Sequence, residues 1–224
     1  MEINLFKSNK NVFWEALLVT ILIFVLGVIA GFVLENWRTS NIDYLYVNSE
    51  LNLLDVKVQS EIYGIGDFDC NAAINENINF ANRIYEEANT LEKYQKASML
   101  TEDLIVSHKK YDLLRTLLLL NSIKIKKECN ASYSNVVYFY RFRDKNPDII
   151  AKESVFSKLL VQLKEKMGNE ILLIPIGFDG NVSSVKLILD NYNISENELP
   201  VILINEKIKI KDVETVEDLM KYFD

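Results

Sequence analysis

The sequence predicts an α/β domain carried behind a helical region and one membrane anchor, and three features predict it. Residues 16–34 form an uncharged apolar run. From about residue 40 to 130, apolar residues recur at threes and fours, the spacing of a helix face. Beyond residue 131, β-branched and aromatic runs alternate with helical patterns, the signature of βαβ units. The boundaries follow from these shifts: 1–39 for the N-terminus and anchor, 40–130 for the helical region, and 131–224 for the α/β domain.

Bulk composition narrows the function classes. The 224 residues are 49% hydrophobic and 25% charged, enough apolar material for an ordinary core. A formal net charge of -7 opposes nucleic-acid binding, because phosphate recognition needs clustered cations. The single basic run is Lys124, Lys126 and Lys127. It falls where a helix should end, and cations there complement the negative end of the helix dipole.

The anchor reads ALLVTILIFVLGVIAGFVL from Ala16 to Leu34. As a helix it is about 28 Å long, near the hydrocarbon thickness of a bilayer. Trp14 and Trp37 flank it at headgroup level. A cleaved signal peptide is the rival reading, but its apolar region is shorter and ends at small residues. This run instead passes into Glu35-Asn36-Trp37. Lys7 and Lys10 before the helix, against Arg38 after it, favour a cytoplasmic N-terminus with the domain outside. Gly27 and Gly31 form a GxxxG pair, through which two such helices can approach closely. A homodimer is one reading of the pair; two unrelated glycines is the other.

In the helical region, Tyr44, Val47, Leu51, Leu54, Val58 and Ile62 make one stripe, expected to pack inward, and Gly64-Ile65-Gly66-Asp67 ends the helix. A second helix is expected from Cys70 to Ala88, with Ile74, Ile78, Ala81, Ile84 and Tyr85 inward. A third runs from Thr101 to Lys127 on Leu104, Tyr111, Leu114, Leu117 and Leu118. The only two cysteines, Cys70 and Cys129, sit at the start of one helix and the end of the next. In an antiparallel hairpin those ends are neighbours, so a structural disulfide is expected; two unrelated buried thiols is the alternative. A bridge implies an oxidising compartment.

The last ninety residues predict strand 136–140, a helix through Ile149, Phe156, Leu160 and Leu163 that stops at Gly168, and strand 171–176. A helix over 182–192, strand 201–204, a tight turn at 205–207, strand 208–210 and a helix over 213–223 follow. The order is β-α-β-α-β-β-α, giving a mixed four-stranded sheet. With Pro200 opening the third strand, this pattern resembles the thioredoxin fold. The resemblance implies that Leu199-Pro200 is a cis bond beside a groove that binds extended polypeptide. In thioredoxins a redox pair of cysteines opens the first helix; here that place reads Arg143-Asp144-Lys145-Asn146-Pro147. Thiol-disulfide exchange needs a thiolate, so this domain lacks it on its own. The combination of anchor, hairpin and thioredoxin-like end is also similar to small archaeal membrane-anchored proteins of that fold.

Other chemistry finds little support. The sole histidine, His108, has no second His or Cys at metal spacing, and neither cysteine lies in a C-x-x-C. No phosphate loop or nucleophile elbow occurs. Asn130, Asn181 and Asn193 each begin an N-x-[ST] sequon, permissive of an external location. The expectation is therefore a non-catalytic, membrane-anchored interaction or scaffold protein without metal or cofactor. Its partners would be lipid around residues 16–34 and a protein or peptide. The alternative is an external redox protein cycling Cys70-Cys129 with a partner oxidoreductase.

Overall fold

A computed structural model of the chain describes residues 9–66, 68–97, 102–142, 144–178 and 182–223. Two units, residues 1–50 and 51–224, divide it. Helix α1 (Asn9–Ile65) begins in the first and ends in the second. In the first unit, Val12–Asn36 is the one described helical segment long and apolar enough to cross a membrane, and its side chains are exposed. Its lone hydroxyl is satisfied locally, with Thr20 Oγ1 donating to the Ala16 carbonyl at 2.9 Å. A Cβ added at Gly27 or Gly31 would meet nothing within 4 Å.

The second unit contains α2 (Cys70–Ala97), α3 (Glu102–Cys129), β1 (Ser134–Tyr140), α4 (Pro147–Met167), β2 (Ile171–Gly177), α5 (Ser183–Asn191), β3 (Val201–Ile204), β4 (Ile208–Ile210) and α6 (Val216–Met220). The sheet order is β2-β1-β3-β4, with β1 parallel to β2 and both other pairings antiparallel. The expected mixed sheet is therefore present. Pro175 lies in β2, an edge strand, where a missing N–H is tolerated. Gly168, at φ 55°, caps α4 where a side chain would be strained. The Leu199-Pro200 bond is cis.

Both sheet faces are covered, which is why its strands read as nearly unbroken apolar runs. Val136, Tyr138, Ile202 and Ile204 pack with Phe156, Leu160 and Leu163 of α4 and Leu219 of α6. On the opposite face, Val137, Phe139, Ile174 and Leu203 pack with α2, α3, α5 and Val56 of α1.

The Cys70–Cys129 disulfide closes the α2–α3 hairpin at the matching helix ends, with Cα atoms 5.4 Å apart. Cys129 packs beside Tyr63, Ala73 and Ile125.

Two helical expectations need correction. Within α1, the stripe Val47, Leu51, Leu54, Val58 and Ile62 is exposed, and the packed residues are Leu53, Val56 and Tyr63 on the other side. The Tyr44 side chain is outside the described residues. Periodicity found the most apolar stripe, whereas packing chose the face that meets the hairpin. On α2, Tyr85 points to solvent, and Phe80 and Asn77 take the inward positions.

Candidate functional site

The natural place for a site in a sheet with parallel strands is beyond their C-terminal ends. Here β1 runs out into Arg141 and Phe142, and β2 into Gly177 and Phe178. The Phe178 amide donates to the Tyr140 carbonyl at 2.9 Å, holding the two exits together.

The segment after β1 is a helix start built from polar residues. Asn146 caps α4: its side chain accepts from the Asp148 amide at 3.0 Å, and Pro147 follows in the first turn, where a missing N–H costs nothing. Asp144 accepts from the Asn146 amide at 2.8 Å and from the Arg141 guanidinium at 3.1 Å. The Asn146 amide, seconded by Arg141, holds the Asp144 carboxyl below its ordinary value. Arg141 also donates to the Glu196 carbonyl at 2.8 Å, and its own amide donates to Glu153 at 2.8 Å. It thereby ties the loop to the segment that leads into Pro200. Lys145, Asn146 and Pro147 are exposed, whereas Pro200 is buried; Arg143 lies outside the described residues.

The N-terminal half of α3 packs against the same end of the sheet. The buried Asp112 carboxylate accepts from the Gly177 amide at 2.8 Å and lies 3.7 Å from Arg115. A Cβ at Gly177 would stand 3.0 Å from Asp112 Oδ2, a tight contact from which the carboxylate would have to shift by a few tenths of an ångström. The His108 ring lies against Phe142, with centroids 3.5 Å apart. Sequence reasoning did not find Asp112 or Arg115. The signal available was a charged pair interrupting the apolar face of Tyr111, Leu114 and Leu118.

At the opposite end of β1 stands a second polar cluster. Tyr133 Oη lies 3.1 Å from both Asn77 Nδ2 and Ser122 Oγ, and Ser122 also donates to Asn135. Ser122 has one hydroxyl hydrogen, so Tyr133 must be the donor to Ser122 and the acceptor from Asn77. Asn135 donates to Glu206 at 2.7 Å, and Lys126 to Asn205 at 2.7 Å. Burial raises the Tyr133 phenol above its ordinary pKa. Burial likewise lowers Lys126. Lys124 reaches the Ser60 carbonyl at 3.4 Å, so two lysines of the basic run serve the fold.

The disulfide belongs to this second end, five residues before β1 begins. A strand of seven residues is about 20 Å long, and that length separates the sulfurs from the Asp144–Pro147 loop. Among the described residues no group of three or more His, Cys, Asp or Glu is placed to hold a metal ion. Asn130, directly after α3, and Asn193, in a turn, are exposed, and Asn181 is outside the described residues. No protein-family model, curated protein or solved structure matches the chain.

Proposed function

We propose that the chain is a membrane-anchored, non-catalytic interaction protein whose C-terminal domain is a redox-inactive member of the thioredoxin-like fold, held outside the cytoplasm. The strand order, the helix placed after each of the first two strands, and Pro200 immediately before β3 support the fold assignment. The span Val12–Asn36 supports the anchor, and the disulfide supports an oxidising compartment.

The observation that carries the functional reading is the state of the loop after β1. Where a redox member of that fold presents thiols, this chain spends Asp144, Asn146 and Arg141 on capping a helix and bracing the neighbouring segment. A braced loop with an exposed Lys145-Asn146-Pro147 edge suits binding rather than turnover. Pro200 is buried, in the segment that Arg141 ties to the loop through the Glu196 carbonyl, so a ligand would touch the loop rather than the proline.

A photoreactive residue at Lys145, introduced into the full chain in its membranes, tests this directly. A discrete polypeptide adduct, lost when Pro200 is replaced, is the expected result. Adducts with lipid alone, or none, would overturn it. In parallel, the purified chain should not reduce a disulfide substrate in the presence of dithiol. The alternative, a cycling Cys70-Cys129 pair, predicts a reduction potential above about -300 mV, whereas a structural bridge lies below it.

A further inference from the structure

The second unit exposes a continuous apolar stripe that no described residue of the single chain covers. Along α1, Leu51 is 60% exposed, Leu54 59%, Val58 57%, Ile62 46% and Ile65 81%. Steps of three, four, four and three residues keep these side chains on one line of a straight helix, about 21 Å long. At 100° per residue this line is diametrically opposite Leu53, Val56 and Tyr63, which pack into the core. The helix therefore has two apolar faces and one partner. The exposed face offers roughly 500 Å² of apolar surface, the size at which an exposed patch marks an interaction site.

We infer that this stripe is the contact between two copies of the chain, packed in parallel about a twofold axis. Three arguments select a second copy. Two such faces together bury about 1,000 Å², the lower bound for a specific interface and too little for a strong dimer in solution. A shared membrane supplies the remainder by raising effective concentration, a step that rests on the anchor proposed above. Copies anchored through the same residues leave the membrane in the same direction, so Leu51 meets Leu51 and Val58 meets Val58. The stripe is then self-complementary, as a twofold contact requires. Charge agrees in part: the parallel arrangement brings Asp55 of one copy beside Lys57 of the other, while Glu50 and Glu61 gain no cation. The contact is accordingly weak without the anchor.

The test uses the full chain in native membranes, with Leu51→Cys, Leu54→Cys or Val58→Cys, each oxidised briefly and run without reductant. Val161→Cys, on exposed α4 surface, is the control. Covalent dimer from the three stripe positions, and none from Val161→Cys, is expected. Adding Ile62→Glu to Leu54→Cys should remove the dimer band, and the exposure of Ile62 in the single chain leaves the fold intact. Carbonate washing of the same membranes separates two failures. A chain retained in the pellet with monomeric stripe cysteines overturns the dimer alone. A chain released by carbonate overturns the anchor, and this contact with it.

Discussion

The two faces of the sheet are built on different principles. Beneath α4 and α6 the packing is apolar throughout: Val136, Tyr138, Ile202 and Ile204 meet Phe156, Leu160, Leu163 and Leu219. Beneath α2 and α3 the core is interrupted by buried Asn77, Asp112, Arg115, Thr116, Asn121, Ser122 and Asn135. An apolar layer tolerates rearrangement provided its volume is kept, whereas a buried polar group is satisfied in one arrangement only. The α4 face thus contributes cohesion. The hairpin face adds register, fixing α3 against the exit of β2 through Asp112 and against the start of β1 through Ser122 and Tyr133. The inexpensive polar contacts are at the surface, and the ones that specify the fold are inside.

This contrast predicts unequal responses to substitution. Replacing both Cys70 and Cys129 by Ala should have the largest effect, about 4 kcal/mol for releasing a loop of about 60 residues in the chain-entropy model. Because the bridge ties only α2 to α3, hydrogen exchange should rise first in that hairpin while α4 stays protected. Uniform loss of protection across both layers would show that they unfold together. Next comes Leu160→Ala on the apolar face, expected to cost about 3 kcal/mol by denaturant unfolding through the cavity it leaves. A loss under 1 kcal/mol would mean that α4 can settle into the space.

Tyr133→Phe probes the other face with almost no change in volume. It strips Asn77 of its acceptor and Ser122 of its donor, so about 2 kcal/mol should be lost despite intact packing. The same method measures it, and Tyr138→Phe on the apolar face is the matched control. The Tyr138 hydroxyl meets the Glu153 carbonyl at 3.4 Å and the exposed Ser157 side chain, so its removal strands no fully buried group and should cost less. Equal costs would erase the distinction between the faces.

Most of the α/β half was legible because its signals are local. Gly168 closes α4, the runs 171–176 and 201–204 are strands, and Asn205-Glu206-Lys207 turns the hairpin, with Asn205 and Glu206 both at positive φ. The disulfide was legible from helix ends alone. The choice of face was less accessible. Leu51, Leu54, Val58 and Ile62 announce a stripe, but which side of α1 meets α2 and α3 depends on tertiary geometry that periodicity does not encode. The polar interior was hidden for a related reason. Asn77 and Ser122 look like ordinary polar residues until the fold brings them, from 56 and 11 residues away, to Tyr133, and Asn135 until it meets Ser122. At the candidate site, the sequence indicated a missing thiol; the capping role of Asp144 and Asn146 required the structure.

The smallest effect concerns a surface contact of the same chemical kind as the buried network. Glu198 accepts from the Ser195 amide at 2.7 Å and pairs with Lys211, at the turn that precedes Pro200. The Lys211 ammonium, with that amide, depresses the Glu198 carboxyl to about 2 from an ordinary 4.5. A carboxyl whose folded value is depressed stabilises the fold fully above its unfolded value. That contribution falls away as pH drops from about 4.5 towards about 2. Glu198 is part-exposed and its partner Lys211 half-exposed, so water and salt screen the pair and the gain is small at high ionic strength. Following the Glu198 carboxyl by NMR through an acid titration of the full chain should give a midpoint near 2, and Lys211→Ala should move it upward. A midpoint at 4.5 in the unmodified chain would mean that the turn is not braced by this pair. Tyr133, held by burial rather than by a surface cation, should show no comparable sensitivity to salt, and that difference separates the polar interior from the polar surface.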